Sequence, residues 1–99
     1  MIRHAVMFRF KPATTPADVA AIVEALGGLP HAIPEIAEYR FGHDIGVNDG
    51  NFDFAVVADF ADTADYVAYR DHPLHQAIIT ERIAPHVEAR AAVQFDVTR

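Results

Sequence analysis

The feature that most constrains the fold of this 99-residue chain is a predicted strand, 53–60, that is apolar on both of its faces. One face carries Phe54, Val56, Ala58 and Phe60, and the other carries Ala55 and Val57. A sheet with one face in water alternates apolar with polar residues instead. Because a domain of this length has one core and no second layer of helices to spare, we expect a homodimer packed sheet against sheet. The alternative is that these small side chains face water.

The remaining periodicities place helices between the strands. The first strand, 2–10, is also apolar on both faces in its middle, at Ala5 and Met7 opposite Val6 and Phe8. Pro16 suits the first position of the helix that follows. The predicted elements are the strand 2–10, a helix from Thr15 toward Leu29, a strand 36–45, a turn 48–51, the strand 53–60, a helix from Asp62 to a break at His72-Pro73, a helical stretch from Leu74 toward Pro85, and a strand 90–97. This β-α-β-β-α-β order predicts an α+β, ferredoxin-like protomer, with an antiparallel four-stranded sheet and helices on one face.

Composition excludes several classes of function. Eight basic and 14 acidic residues give a formal net charge of −6 at pH 7, whereas nucleic acids and anionic membranes require a basic surface. No apolar run approaches the roughly 20 residues of a membrane-spanning helix, and the first ten residues carry charges where a signal peptide is apolar. The lack of cysteine excludes disulfides and thiolate zinc sites. We therefore expect a cytoplasmic protein with no nucleic-acid or membrane partner.

Candidate chemistry is concentrated around one proline corner. The chain has no serine, so a Ser-His-Asp triad is excluded. Tyr69 ends one predicted helix and His75 begins the next, so the corner at Pro73 would aim both rings inward. A phenol can donate a proton and an imidazole can accept one near neutral pH, which suits acid–base catalysis. His4 lies on the face of the first strand that is expected to meet the helices.

These residues predict a small pocket between the sheet and the helices. Its polar groups are His4, Tyr69, His72 and His75, and its walls are Val6, Phe8, Phe54 and Val56. Alternatively, the histidines cap helix ends, or His72 and His75 bind a metal ion with His4 as the third ligand of a zinc-like site. Because Asp71, the nearest carboxylate in sequence, is expected to point outward, we expect neither a metal nor another cofactor. The remaining histidines are interpreted as surface or edge residues: His31, His43 and His86.

Over nearly its whole length the sequence resembles the stress-responsive dimeric α/β-barrel (Dabb) proteins. The most specific motif is Tyr69-x-x-His72-Pro73-x-His75, combined with His4 in the first strand. Other matching segments are 2–4, 8–11, 33–34, 42–44, 53–60 and 92–96. The resemblance implies a single domain over residues 1–99, with a ferredoxin-like protomer and a homodimer whose two sheets face each other as a dimeric α/β barrel.

The resemblance also implies a function. Relatives of the olivetolic acid cyclase type carry out an intramolecular aldol condensation without cofactor or metal. Their acid–base pair matches Tyr69 and His75, and two further histidines of their pocket match His4 and His72. A third pocket histidine is replaced here by Phe54, and aromatic residues of their acyl pocket are replaced by Val23 and Leu26. The resemblance therefore implies the same acid–base pair in a substrate pocket of different shape.

Two functional hypotheses follow. The first is a cofactor-free cyclase or isomerase that acts on a polyketide-like or β-keto substrate. In that enzyme His75 is the base, Tyr69 orients it or polarises the carbonyl, and His4 and His72 position the substrate's oxygens. The second is a non-catalytic dimer that binds a small apolar or carbonyl-containing ligand or contributes to stress tolerance.

Overall fold

The computed structural model describes residues 1–98, which contain one antiparallel sheet of four strands. The strands are β1 (Ile2–Phe10), β2 (Glu38–His43), β3 (Phe54–Phe60) and β4 (Val87–Asp96). Their order across the sheet is β2-β3-β1-β4, so β1 and β3 are the central strands. Ile2 pairs with Phe60 at one end of these two strands and Phe8 pairs with Phe54 at the other. The predicted ferredoxin-like fold is confirmed.

Four α-helices cover one face of this sheet. They are α1 (Pro16–Gly27), α2 (Leu29–Ala32), α3 (Thr63–Asp71) and α4 (Pro73–Ile78). A capping box begins α1, because the Thr15 hydroxyl accepts a hydrogen bond from the Asp18 N–H and the Asp18 carboxylate accepts one from the Thr15 N–H. The Asp62 carboxylate caps α3 in the same sense. No helix among residues 1–98 is long and apolar enough to cross a membrane.

The core lies between the helices and the inner face of the sheet. The central strands contribute Val6, Phe8, Phe54, Val56, Ala58 and Phe60, each at most 7% exposed. Helices and connecting segments contribute Ile22, Leu26, Leu29, Ile33, Tyr69, Ile78 and Ile83. Burial of this apolar surface is the main stabilising contribution to a domain of this kind. One polar side chain, His4, is also buried on the inner face, and its position determines the site described below.

The middle of the outer face of the sheet is apolar, and no helix covers this face. The strand register places Ala5 between Val57 and Val93 on this face. Met7, Val93 and Phe95 are exposed in the protomer, at 44%, 56% and 47%. The middle parts of the central strands are therefore apolar on both faces, as the sequence predicts, while the helices bury only one face.

The second strand is shorter than predicted, Glu38–His43 instead of 36–45. The carboxylate of Asp44 accepts hydrogen bonds from the Gly46 N–H and from the Asn51 side chain, which turns the chain away from the sheet. Gly46 adopts a φ of 78°, a conformation that favours glycine. The side-chain chemistry of the loop therefore ends the strand.

The region before the last strand also differs from the prediction. The helical stretch is α-helical only through Ile78 and continues as a π-helical segment, Ile79–Ile83, in which the Ala84 N–H bonds the Ile79 carbonyl. A 3₁₀ turn, Ala84–His86, then leads directly into β4. This strand begins at Val87 instead of residue 90, because a register shift between Arg9 and Phe10, with one extra residue in β4, lets Phe10 pair with Val87.

Replacing Thr15 with Ala is expected to lower the free energy of unfolding by about 1 kcal/mol, because the capping hydroxyl of α1 is lost. Thr63→Ala is the matched control, since the Thr63 hydroxyl at the start of α3 makes no hydrogen bond within residues 1–98. Equilibrium unfolding in urea measures both changes. Equal destabilisation by the two substitutions would contradict the assigned role of the cap.

Candidate active site

A cavity of about 340 Å³ opens between the inner face of the sheet and the helices. Its apolar wall consists of Val6, Phe8, Leu26, Val56, Ile79, Ile83, Ala84 and Val87. Its polar residues are His4, Tyr39, Tyr66, Tyr69, Arg70, His75, Gln76 and Arg90. Small-molecule sites are typically concave and mostly apolar, with a few polar groups that orient the ligand. The cavity fits this description.

Seven of the ten residues predicted for the site line this cavity. His4 comes from the middle of β1, Tyr69 from the last turn of α3 and His75 from the first turn of α4. The corner forms because His72, in an extended conformation with ψ of 132°, stands before Pro73, which begins the new helix. The other predicted residues at the cavity are Val6, Phe8, Leu26 and Val56.

Two predicted wall residues lie outside the cavity. Val23 is 37% exposed, because Ile22 and Leu26 occupy the buried side of α1 and Val23 falls beside that stripe. Phe54 is 2% exposed and belongs to the core at the beginning of β3, where its ring centroid lies 6.0 Å from that of Phe10. Neither side chain is placed to contact a molecule in the cavity.

His72 also lies outside the cavity, because it caps a helix. Its Nδ1 accepts a hydrogen bond of 3.1 Å from the Leu74 N–H at the start of α4. His72 is therefore not placed to contact a substrate in the cavity. It caps a helix instead, which is the alternative that the sequence left open.

His75 is held in one tautomer. Its ring lies against the ring of Tyr69, with centroids 4.0 Å apart. Its Nδ1 is 3.1 Å from the carbonyl oxygen of Arg70, and since a carbonyl only accepts, Nδ1 must carry the hydrogen. Burial lowers the pKa of His75 below its ordinary value, against the opposing effect of the backbone hydrogen bonds. At pH 7 the ring is therefore neutral, with an unprotonated Nε2.

Tyr69 and Tyr39 form a pair of neutral phenols. Their hydroxyl oxygens are 2.9 Å apart. Burial raises the pKa of Tyr39 to about 12. Burial, followed by the proximity of Tyr39, raises the pKa of Tyr69 well above its ordinary value. Because one of the two hydroxyl hydrogens is used within the pair, one remains for a hydrogen bond to a ligand.

His4 is held in the opposite tautomer. The side-chain nitrogen of Gln94 lies 2.8 Å from His4 Nδ1, and since an amide nitrogen donates, Nδ1 accepts and Nε2 carries the hydrogen. Burial lowers the pKa of His4 to about 4, with smaller effects of the same sign from Arg90 and His75. At pH 7 the cavity thus contains a neutral donor, His4, and a neutral acceptor, His75.

Sequence reasoning missed five polar residues that line the cavity, and also Gln94, which bonds His4. The five are Tyr39, Tyr66, Arg70, Gln76 and Arg90. The alternation of the second strand placed Tyr39 on one face, but nothing local connected it with Tyr69. Gln94 sits opposite His4 only through the register of β1 with β4. Gln94 could therefore have been assigned to the site only if the pairing of β1 with β4 had been known.

The three histidines proposed as metal ligands are not arranged for that role. Among residues 1–98 no group of three or more His, Asp or Glu side chains is placed to hold a metal ion. His72 directs Nδ1 to the backbone of α4, and His4 and His75 each use Nδ1 in a hydrogen bond.

Sequence comparison assigns the family. The model of the stress responsive A/B barrel domain, Dabb, matches residues 2–97. The chain belongs to the Dabb family. The matched region of this Dabb protein contains all four strands and every residue of the cavity.

Several solved structures have the fold of this Dabb protein. A dimeric ferredoxin-like protein of unknown function from Thermobifida fusca YX is 47% identical, with a TM-score of 0.91 over 97% of this chain and 90% of that one. A Dabb family protein from Mesorhizobium loti MAFF303099 is 26% identical, with a TM-score of 0.80 over 99% and 97% of the two chains. A hydroxynitrile lyase from Passiflora edulis, 23% identical with a TM-score of 0.85 over 98% and 93%, shares the fold. No curated protein matches the sequence.

Lowering the pH is expected to destabilise the folded protein through His4. Because its pKa is about 4 in the folded state and about 6.5 in the unfolded chain, its contribution to stability is complete above pH 6.5. That contribution is lost as the pH falls from about 6.5 to about 4, on the order of 3 kcal/mol in all. The advantage of wild type over His4→Phe in unfolding free energy should shrink accordingly.

Urea unfolding at a series of pH values between 7.5 and 4 measures this effect. His31→Phe, at an exposed position, is the matched control for introducing a phenylalanine in place of a histidine. A difference between wild type and His4→Phe that does not change with pH would contradict the assignment.

Proposed function

We propose that this Dabb protein is a cofactor-free cyclase or isomerase acting on a polyketide-like or β-keto substrate. The proposal is based on two neutral imidazoles, His4 and His75, that lie in one cavity in opposite tautomers. The ring centroid of His75, the acceptor, is 4.0 Å from that of Tyr69. A base must be unprotonated before it can act, and an oxyanion needs donors already in place. His75 meets the first requirement, and Tyr69 and His4 meet the second.

In the proposed step, His75 Nε2 takes a proton from the carbon next to a carbonyl, and the electron pair of that bond moves to the carbonyl oxygen. Hydrogen bonds from the Tyr69 hydroxyl and from His4 Nε2 stabilise the negative charge of the resulting enolate. In an isomerase, His75 returns the proton to a different atom of the substrate. In a cyclase, the enolate carbon attacks a second carbonyl of the same molecule, a carbon–carbon bond forms, and the new alkoxide takes the proton from His75.

The substrate class follows from the strength of the base. Burial lowers the pKa of His75, so the ring is a weak base and requires an acidic C–H bond. A carbon between two carbonyls provides such a bond, which is why a β-keto or polyketide-like molecule suits the site. The apolar wall would hold its hydrocarbon portion. Tyr39 is a positioning residue in this proposal, since it bonds the Tyr69 hydroxyl.

Loss of the imidazole in His75→Ala is expected to lower the rate of the reaction by roughly 10²–10⁴, the usual contribution of a general base. Tyr69→Phe should also lower the rate, because it removes the hydroxyl but keeps the ring that stacks on His75. The assay follows cyclisation of linear polyketide thioesters by mass spectrometry and deuterium exchange at the α-carbon of β-keto thioesters by NMR, each above the uncatalysed rate.

His31→Ala, remote from the cavity, is the matched control and should retain the wild-type rate. Equal rates in wild type and His75→Ala, or no turnover across the substrate panel, would contradict the proposal. Saturable binding of a panel member without turnover would support the second candidate, a non-catalytic protein that binds a small apolar or carbonyl-containing ligand.

We also propose that two copies of the chain associate through the outer face of the sheet as a dimeric α/β barrel. The 47% identical protein from Thermobifida fusca YX is described as dimeric, which supports the assembly. The exposed apolar side chains of Met7, Val93 and Phe95 support the location, because monomeric proteins rarely leave a contiguous apolar patch in water.

A charge on the outer face is expected to separate the two copies. Val93→Glu places a carboxylate within the proposed interface, where burying it would cost several kcal/mol. Val23→Glu, at an exposed position of α1, is the matched control. Sedimentation at micromolar concentration should show dimers for wild type and Val23→Glu and monomers for Val93→Glu. A monomeric wild type, or a dimeric Val93→Glu, would contradict the interface.

A further inference from the structure

The charges around the cavity differ from those of the chain as a whole. The chain has 14 acidic residues and eight basic ones. Among residues 1–98, no acidic side chain lines the cavity, whereas two arginines, Arg70 and Arg90, do. A ligand in the cavity therefore meets positive charge and no carboxylate, although the chain carries a net charge of −6 at pH 7.

Only one of these two arginines has its charge available. Arg70 forms a bidentate ion pair with Asp71, with distances of 2.9 and 3.1 Å, so its charge is already matched. Arg90 lies on β4 opposite Phe8 of β1, and within residues 1–98 its side chain has neither an ion pair nor a hydrogen bond. Arg90 is thus an unpaired guanidinium at the edge of the cavity.

The polar groups of the cavity differ in solvent exposure, so the two ends of the cavity would suit different parts of a ligand. Arg90 is exposed, whereas His4 and Tyr69 are 5% and 2% exposed. The buried groups are neutral, so they suit an uncharged carbonyl, and burying an unpaired anion beside them would be costly. The anionic end of a ligand would remain at the exposed end of the cavity, where the guanidinium is.

We infer that Arg90 binds the carboxylate of the substrate, so that the substrate is an oxo-carboxylate whose carbonyl lies between His4, Tyr69 and His75. This inference rests on the proposed function, which it deepens by naming the charged group of the substrate. The planar fork of a guanidinium matches a carboxylate in a bidentate pair. A local positive charge is also needed if an anion is to approach a protein of negative net charge.

The same guanidinium could meet a phosphate of a coenzyme A thioester. The carboxylate is the better match, since one unpaired guanidinium balances a single negative charge and no other unmatched cation lines the cavity within residues 1–98. Coenzyme A alone is therefore included as a separate arm of the test.

The experiment measures binding, which does not depend on turnover. Levulinate, a stable oxo-carboxylate, and its methyl ester are titrated into the full-length protein, and chemical shifts are followed by NMR. Arg90→Gln is expected to weaken levulinate binding by about tenfold, the loss of one charge-assisted pair at a partly exposed site. Binding of the ester should not change, and Arg90→Lys should retain part of the affinity for levulinate.

Arg82→Gln is the matched control, because it removes the same charge from an exposed arginine that does not line the cavity. It should change levulinate binding by less than about twofold, since solvent screens a charge at that distance. Equal affinity of wild type for levulinate and its ester, equal loss in both arginine variants, or Arg90-dependent binding of coenzyme A in preference to levulinate would overturn the inference. If levulinate binding depends on Arg90 but no substrate is turned over, the proposed function fails and the assignment of Arg90 stands.

Discussion

Strand β1 is hydrogen-bonded to β3 on one side and to β4 on the other along most of its length, and its middle part is apolar on both faces. A strand in this position cannot shift by one residue, because the slip would exchange its two faces and move His4, Val6 and Phe8 away from the helices. The fixed register therefore determines the floor of the cavity. It also places Gln94 beside His4 and Arg90 beside Phe8, so that the edge strand contributes to the same site.

The proposed chemistry depends on keeping the polar groups of the cavity uncharged. Burial lowers the pKa values of His4 and His75 and raises those of Tyr39 and Tyr69, so all four side chains are neutral near pH 7. Specific hydrogen bonds then decide which atoms donate and which accept. The apolar wall of the cavity lowers the local dielectric constant, which strengthens a hydrogen bond to a ligand there. The same burial makes His4 costly to protonate and links the site to the stability of the fold.

Much of the fold was predictable because its signals are local. Thr15 and Asp62 begin helices through their own side chains, and Pro73 breaks a helix through the restriction it places on the preceding residue. The sequence did not predict features that depend on contacts between distant parts of the chain or on the exact direction of a side chain. The apolar periodicity of α1 did not show that Val23 lies at the exposed edge of the apolar face of that helix. Similarly, the motif that contains His72 did not show that the Nδ1 atom of His72 caps α4.

The sequence by itself determined the order of the elements, the apolar character of both sheet faces, and the presence of Tyr69 and His75 on either side of a proline corner. These properties follow from periodicity and from local backbone restrictions. Only the tertiary structure decided the tautomers of His4 and His75 and the pairing of Tyr39 with Tyr69. It also decided that, within residues 1–98, Arg70 is paired and Arg90 is not. Those properties require atoms from different strands and helices to come within hydrogen-bond distance, and a one-dimensional pattern does not contain such distances.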